Sequence, residues 1–214
     1  MHRLFVGPTQ VGKTTLCRML VRSRKYVVVL GTKPRDKSLD DYLRDGYTRI
    51  DHWPPKPREM RPDAEGNVHL IVWPRIERRE QMRSYAPMFA KVIDDVFVQG
   101  GWTIVIDEGL WIAGSDGLGL GSEISDLSYG SASNLVTMCL LVQRPAGLPR
   151  IAWQSVLDAM IFHLGVTTDL AELASLGQYD PYDVKIAIGR LQGRQFLDLP
   201  CRGMREWSVT EVEL

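Results

Sequence analysis

Gly7-Pro8-Thr9-Gln10-Val11-Gly12-Lys13-Thr14 meets the pattern GxxxxGK[ST], followed by Thr15. The apolar run Leu4-Phe5-Val6 precedes it, and Thr14 to Arg24 reads as a helix. A strand, a glycine-rich turn and a helix in that order make a phosphate-binding loop. Gly7 and Gly12 let the backbone wrap an anion. Successive N–H groups and the helix N-terminus then point at it. Lys13 brings positive charge to the β- and γ-phosphates, and the Thr14 hydroxyl is a ligand for Mg²⁺. The expected substrate is ATP with Mg²⁺, held by Gly7 to Thr15.

Further strands follow along the chain. Tyr26 to Leu30, Val68 to Trp73, Thr103 to Ile106 and Leu135 to Val142 are apolar runs bounded by turn residues. Met88, Phe89, Val92, Ile93, Val96 and Phe97 form a helical stripe that Gly100-Gly101 ends. Residues 34–67 are rich in Pro and charge and read as irregular, with a short helix near Ser38–Arg44. Strands alternating with helices predict an α/β fold with a mainly parallel sheet covered on both faces. No composition shift marks a boundary, so residues 1–214 are expected to form a single P-loop ATPase domain.

Ile104-Val105-Ile106-Asp107-Glu108 ends an apolar strand in two acids, at the sheet edge where the phosphate loop also lies. Asp107 is expected in the Mg²⁺ shell. Glu108 is expected to orient and deprotonate the attacking water. Leu140-Leu141-Val142 runs into Gln143-Arg144-Pro145 at the same edge. Gln143 either touches the γ-phosphate or the water, or satisfies loop backbone groups.

Together these motifs resemble the FtsK/HerA superfamily of DNA-pumping ATPases, viral genome-packaging ATPases included. Val29-Leu30-Gly31-Thr32-Lys33, Phe162-His163-Leu164 and Gly193-Arg194-Gln195-Phe196-Leu197 resemble further core strands of that family. The resemblance spans most of residues 3–199. It implies a RecA-like core, a ring that is usually a hexamer, nucleotide between subunits, and double-stranded DNA in the pore. It also implies catalytic roles for Lys13 and Glu108 and a sensor role for Gln143. Two positions depart from the family pattern. Gly31 or Thr32 stands where an acid is expected, and Gly130-Ser131-Ala132-Ser133 stands where many relatives carry an arginine. The trans-acting arginine is therefore open among Arg83, Arg144, Arg190 and Arg194.

Composition narrows the alternatives. Net charge is zero, yet residues 1–84 carry 18 Lys and Arg against 10 Asp and Glu. Cys17, Cys139 and Cys201 form no CxxC pair, so neither a disulfide framework nor a zinc site is expected. The longest apolar run is too short to span a bilayer, and no secretory leader is read, so a cytoplasmic or virion-associated protein is expected. A stand-alone motor of this size resembles packaging ATPases of tailless, membrane-containing viruses, with a capsid or membrane vertex protein as a docking partner. The competing readings are a small-molecule kinase and a nucleotide-switched assembly NTPase. The Gly-rich residues 114–122 are either a mobile coupling loop or a passive connection. The four arginines of Arg75–Arg83 face DNA, a neighbouring subunit or solvent. His163 is expected in the core, and Trp53 and Trp73 in core or loop packing.

Overall fold

In the computed structural model, residues 2–75, 77, 79–130, 133–164, 167–201 and 206–212 are described. The first two strands are β1 (His2–Val6) and β2 (Tyr26–Leu30), separated by α1 (Lys13–Val21). Then come α2 (Lys37–Arg44), β3 (Thr48–Ile50), β4 (Val68–Val72), α3 (Arg79–Ser84), α4 (Ala86–Gln99) and β5 (Thr103–Ile106). The remainder is α5 (Gly109–Ala113), α6 (Gly121–Gly130), β6 (Thr137–Val142), α7 (Arg150–Gln154), β7 (Val156–Ile161), α8 (Thr167–Gly177), α9 (Pro181–Gly189), β8 (Gln195–Pro200) and β9 (Ser208–Glu211). One sheet takes all nine strands in the order β3-β4-β2-β5-β6-β1-β7-β8-β9. It is parallel from β3 to β7, and β8 and β9 add antiparallel.

Both faces are buried, and the side-chain alternation of the strands sorts them. Leu4, Val6, Val28, Leu30, Ile104, Ile106 and Leu140 point to one face, against Phe89, Ile93 and Val96 of α4, Ile124 of α6 and Leu173 of α8. Phe5, Val27, Val29, Val105 and Leu141 point to the other, against Leu16 and Val21 of α1 and Leu39 and Tyr42 of α2. The central parallel strands therefore read as largely apolar runs, which made them visible in the sequence, whereas β3 and β7 were not.

Several boundaries differ from the sequence reading. The first helix stops at Val21, with Arg22 as its C-cap. Leu135 adopts φ 55° in a turn and is 79% exposed, so the sixth strand begins only at Thr137. The late strand is Val156–Ile161, not Phe162–Leu164. Phe162 follows it, buried in the core and donating its N–H to the Val6 carbonyl at 2.8 Å, and His163 is exposed rather than in the core. The irregular 34–67 stretch contains the edge strand β3 as well as the expected helix α2. Residues 114–120 form a tight turn folded on α5. Leu118 and Leu120 are buried and donate backbone N–H groups to the carbonyls of Trp111 and Ile112. Trp53 and Trp73 serve packing: Trp53 donates to Asp95 at 2.9 Å, and buried Trp73 to the Lys33 carbonyl at 2.7 Å. Ser131 and Ala132, and Arg78 of the arginine run, lie outside the described residues.

Candidate nucleotide site

Strand order brings the sequence motifs together. β6 lies between β1 and β5, so the residues beyond the ends of these three strands share one stretch of sheet edge. Val142 is in register with Val6, and Leu140 with Ile106. The phosphate loop, Gln143 and Asp107-Glu108 therefore sit side by side. β2 neighbours β5 on the far side, with Leu30 in register with Ile106, which sets Lys33 beside Glu108.

The loop leaves β1 through Gly7 at φ 154°, whose N–H donates to the Val142 carbonyl at 3.2 Å. A Cβ on Gly7 would lie 2.7 Å from the Phe162 Cβ, so the chain just past β7 approaches the loop too closely for a side chain. Gln10 (φ 68°) and Gly12 (φ 106°) complete the wrap, and Gly12 is the left-handed N-cap of α1. No side chain caps that helix, so its first N–H groups stay open to an anion. The Lys13 ammonium folds back onto the Gly7 and Pro8 carbonyls at 2.7 and 2.6 Å. Burial lowers its pKa, opposed by the charges of Asp107 and Glu108.

A cavity of about 440 Å³ opens over this loop. Thr9, Gln10, Gly12, Lys13, Thr14 and Thr15 line it, with Asp107, Glu108 and Gln143 opposite. Gly7, Pro8 and Val11 are not in its lining. Gly7 and Pro8 contribute the carbonyls under Lys13, and Val11 packs on the core. The donor set suits a triphosphate with a hard cation. The open loop N–H groups and a lysine that forms no ion pair among the described residues match phosphate oxygens, and the Thr14 hydroxyl and Asp107 carboxylate are oxygen ligands of the kind Mg²⁺ takes.

Asp107 accepts the Glu108 N–H at 2.9 Å. Burial raises its pKa, helped by Asp36 and Glu108 and opposed by Lys33. Glu108 itself sits at φ 58° as the N-cap of α5. A Cβ on the next residue, Gly109, would be 2.5 Å from a Leu140 methyl and 3.0 Å from Val142, so a side chain here would displace buried core residues.

The sequence reading missed one contact. The Lys33 ammonium lies 2.6 Å from a Glu108 oxygen and 3.5 Å from Asp36. Burial works against its charge, but the hydrogen bond to Glu108 and the charge of Asp107 outweigh it, and its pKa is raised. Lys33 was visible at the end of the second strand. Its partner was not, because strand order is not written in the sequence. Arg35, Lys37 and Ser38 also line the cavity and carried no local signal, and Arg194, one of the trans-acting candidates, lines it too.

The four candidate arginines are placed differently. Arg83 donates to the Asp116 carbonyl at 2.7 Å, and Arg144 to buried Asp169 at 2.9 Å. Arg194 lines the cavity of its own chain. Arg190 is exposed just past α9 and forms no ion pair among the described residues.

No family model matches the sequence, and no curated protein matches it. Solved structures do. B204, the DNA-packaging ATPase from Sulfolobus turreted icosahedral virus, is similar over 99% of this chain and 98% of its own, with TM-score 0.67 and 12% identity. The genome-packaging NTPase B204 of Sulfolobus turreted icosahedral virus 2, in complex with AMPPCP, gives TM-score 0.68 at 12% identity, covering 99% and 97%. VirB4 of Thermoanaerobacter pseudethanolicus gives 0.66 at 8% identity, covering 100% and 89%. The chain has the fold of these ATPases. It is the RecA-like architecture that the FtsK/HerA resemblance implies. Among the described residues no helix is long and apolar enough to cross a membrane.

Proposed function

We propose that this chain is an ATP-hydrolysing motor of the FtsK/HerA type that moves double-stranded DNA, and that its use is packaging a viral genome. The observation that carries the ATPase reading is the shared cavity that brings Lys13, Thr14, Asp107, Glu108 and Gln143 together at one sheet edge. The DNA reading rests on the fold shared with packaging ATPases along nearly the whole chain. The Gln143-Arg144-Pro145 strand end argues against the kinase alternative.

The loop N–H groups, the N-terminus of α1 and Lys13 hold the triphosphate. Thr14 and Asp107 hold Mg²⁺, which when bound neutralises charge on the β- and γ-phosphate oxygens. Glu108 orients a water and takes its proton as the water oxygen bonds the γ-phosphorus. The bond to the β,γ-bridging oxygen breaks, and its electron pair leaves with ADP. Lys33 holds Glu108 before the triphosphate arrives. A γ-phosphate entering the cavity competes for that ammonium and frees the carboxylate for the water. Gln143 lies between the loop and Glu108, where it reports whether the γ-phosphate is present. Of the arginine candidates, Arg190 is the one left to act on a neighbouring subunit in a ring.

Glu108→Gln tests the site. It keeps the shape and removes the base, so ATP binding should persist while turnover falls about 10²-fold or more. Unimpaired turnover would remove Glu108 as the base.

A further inference from the structure

The same sheet edge carries a second cationic cavity. It lies beyond the ends of β3 and β4, about 210 Å³ in volume, and Arg49, Lys56, Arg58 and Arg75 line it. Its lining shares no residue with that of the nucleotide cavity, whose nearer wall follows β2, two strand steps from β3. The two cavities are therefore distinct, and this one has about half the volume.

Its charges do not cancel internally. The two carboxylates present, Asp51 and Glu59, flank His52 at 3.2 and 3.1 Å from its two ring nitrogens. Glu59 also accepts the Lys56 backbone N–H at 2.7 Å, and the Arg58 guanidinium is no closer to it than 4.0 Å. Lys56 and Arg75 form no ion pair among the described residues. Arg49 is held in place without a carboxylate. Its Nε donates to the Trp73 carbonyl at 3.0 Å, and its guanidinium stacks on the Trp73 ring at 4.2 Å. A guanidinium fixed in this way loses little further freedom on meeting a phosphate. The cavity suits one phosphate group better than a whole nucleotide. Its cations converge from two strand ends and a loop, the arrangement that grips a backbone without reading sequence.

We propose that this cleft is a second phosphate site, taking a backbone phosphodiester of double-stranded DNA. The inference rests on the DNA-motor reading and assigns it a contact surface. It also gives Arg75, the first of the arginine run, a role that solvent exposure alone does not.

The test is binding of a fluorescent duplex of arbitrary sequence to the full chain across a salt series. Wild type is compared with Lys56→Glu/Arg75→Glu and with the milder Lys56→Gln/Arg75→Gln. Thermal unfolding and ATPase without DNA check that each variant keeps its fold and nucleotide site. The reversal pair should weaken binding at least about tenfold and flatten the plot of log affinity against log salt by roughly one for each phosphate no longer neutralised. The neutral pair should fall between, basal ATPase should hold, and millimolar inorganic phosphate should not displace the duplex. DNA binding equal to wild type in both folded variants would overturn the cleft while leaving the DNA-motor reading intact. Wild type that binds no duplex would overturn that reading and this cleft together. Displacement by inorganic phosphate would show a site for the free anion instead.

Discussion

Asp107 shows how function is set against stability at one residue. Its carboxyl is held above its ordinary range, chiefly by burial, although cation binding needs the charged form. Without nucleotide, the folded chain therefore binds this proton more tightly than the unfolded chain does. The group's stabilising contribution is complete below the ordinary carboxylate pKa and is lost as pH rises through the raised one. Asp107→Asn removes that penalty. At neutral pH the variant should melt higher than wild type. The difference should vanish at acid pH, and Mg²⁺-dependent turnover should be lost. Scanning calorimetry of the nucleotide-free proteins from pH 4 to 8 checks this, and a variant that melts lower at neutral pH would contradict it. Asp107 and Glu108 were legible because two acids end an apolar strand. The Lys33–Glu108 pair was not, since it joins residues 75 positions apart through neighbouring strands.

Among the elements, the phosphate loop is tightly constrained by its neighbours. Gly7 needs both a backbone angle that L-residues avoid and room that the Phe162 Cβ denies. Gly7→Ala should cost about 2 kcal/mol or more, backbone strain and close contact together. Gly66 shares a positive φ of 84° but faces nothing within 4 Å, so Gly66→Ala should cost less. Urea unfolding of the two variants separates the terms, and equal costs would mean that the approach of the chain just past β7 does not constrain the loop. The same contrast explains which elements the sequence disclosed. β2, β4, β5 and β6 are buried on both faces and appear as mostly apolar runs. β3 and β9 are short, with Thr48 and Arg49 of the first and all of the second exposed, and their composition resembles that of loops. α5 is five residues long and begins at a left-handed glutamate, so no periodicity announces it.

One sheet edge carries both a nucleotide cavity and a basic cleft that share no lining residue. The α/β class and parallel sheet followed from alternating strands and helices. The strand order did not, and it alone decides that Gln143 stands between the loop and Glu108. Oligomeric assembly is a further step, argued from resemblance and from Arg190, which forms no ion pair among the described residues. Its consequence is kinetic: an active site completed by a neighbour works only when subunits meet. The central measurement is the steady-state ATPase rate of the intact chain with and without double-stranded DNA, over a range of protein concentrations. The account predicts a specific rate that rises with protein concentration and rises again with DNA. A rate per subunit indifferent to both would contradict the DNA motor and favour a nucleotide switch built on the same fold.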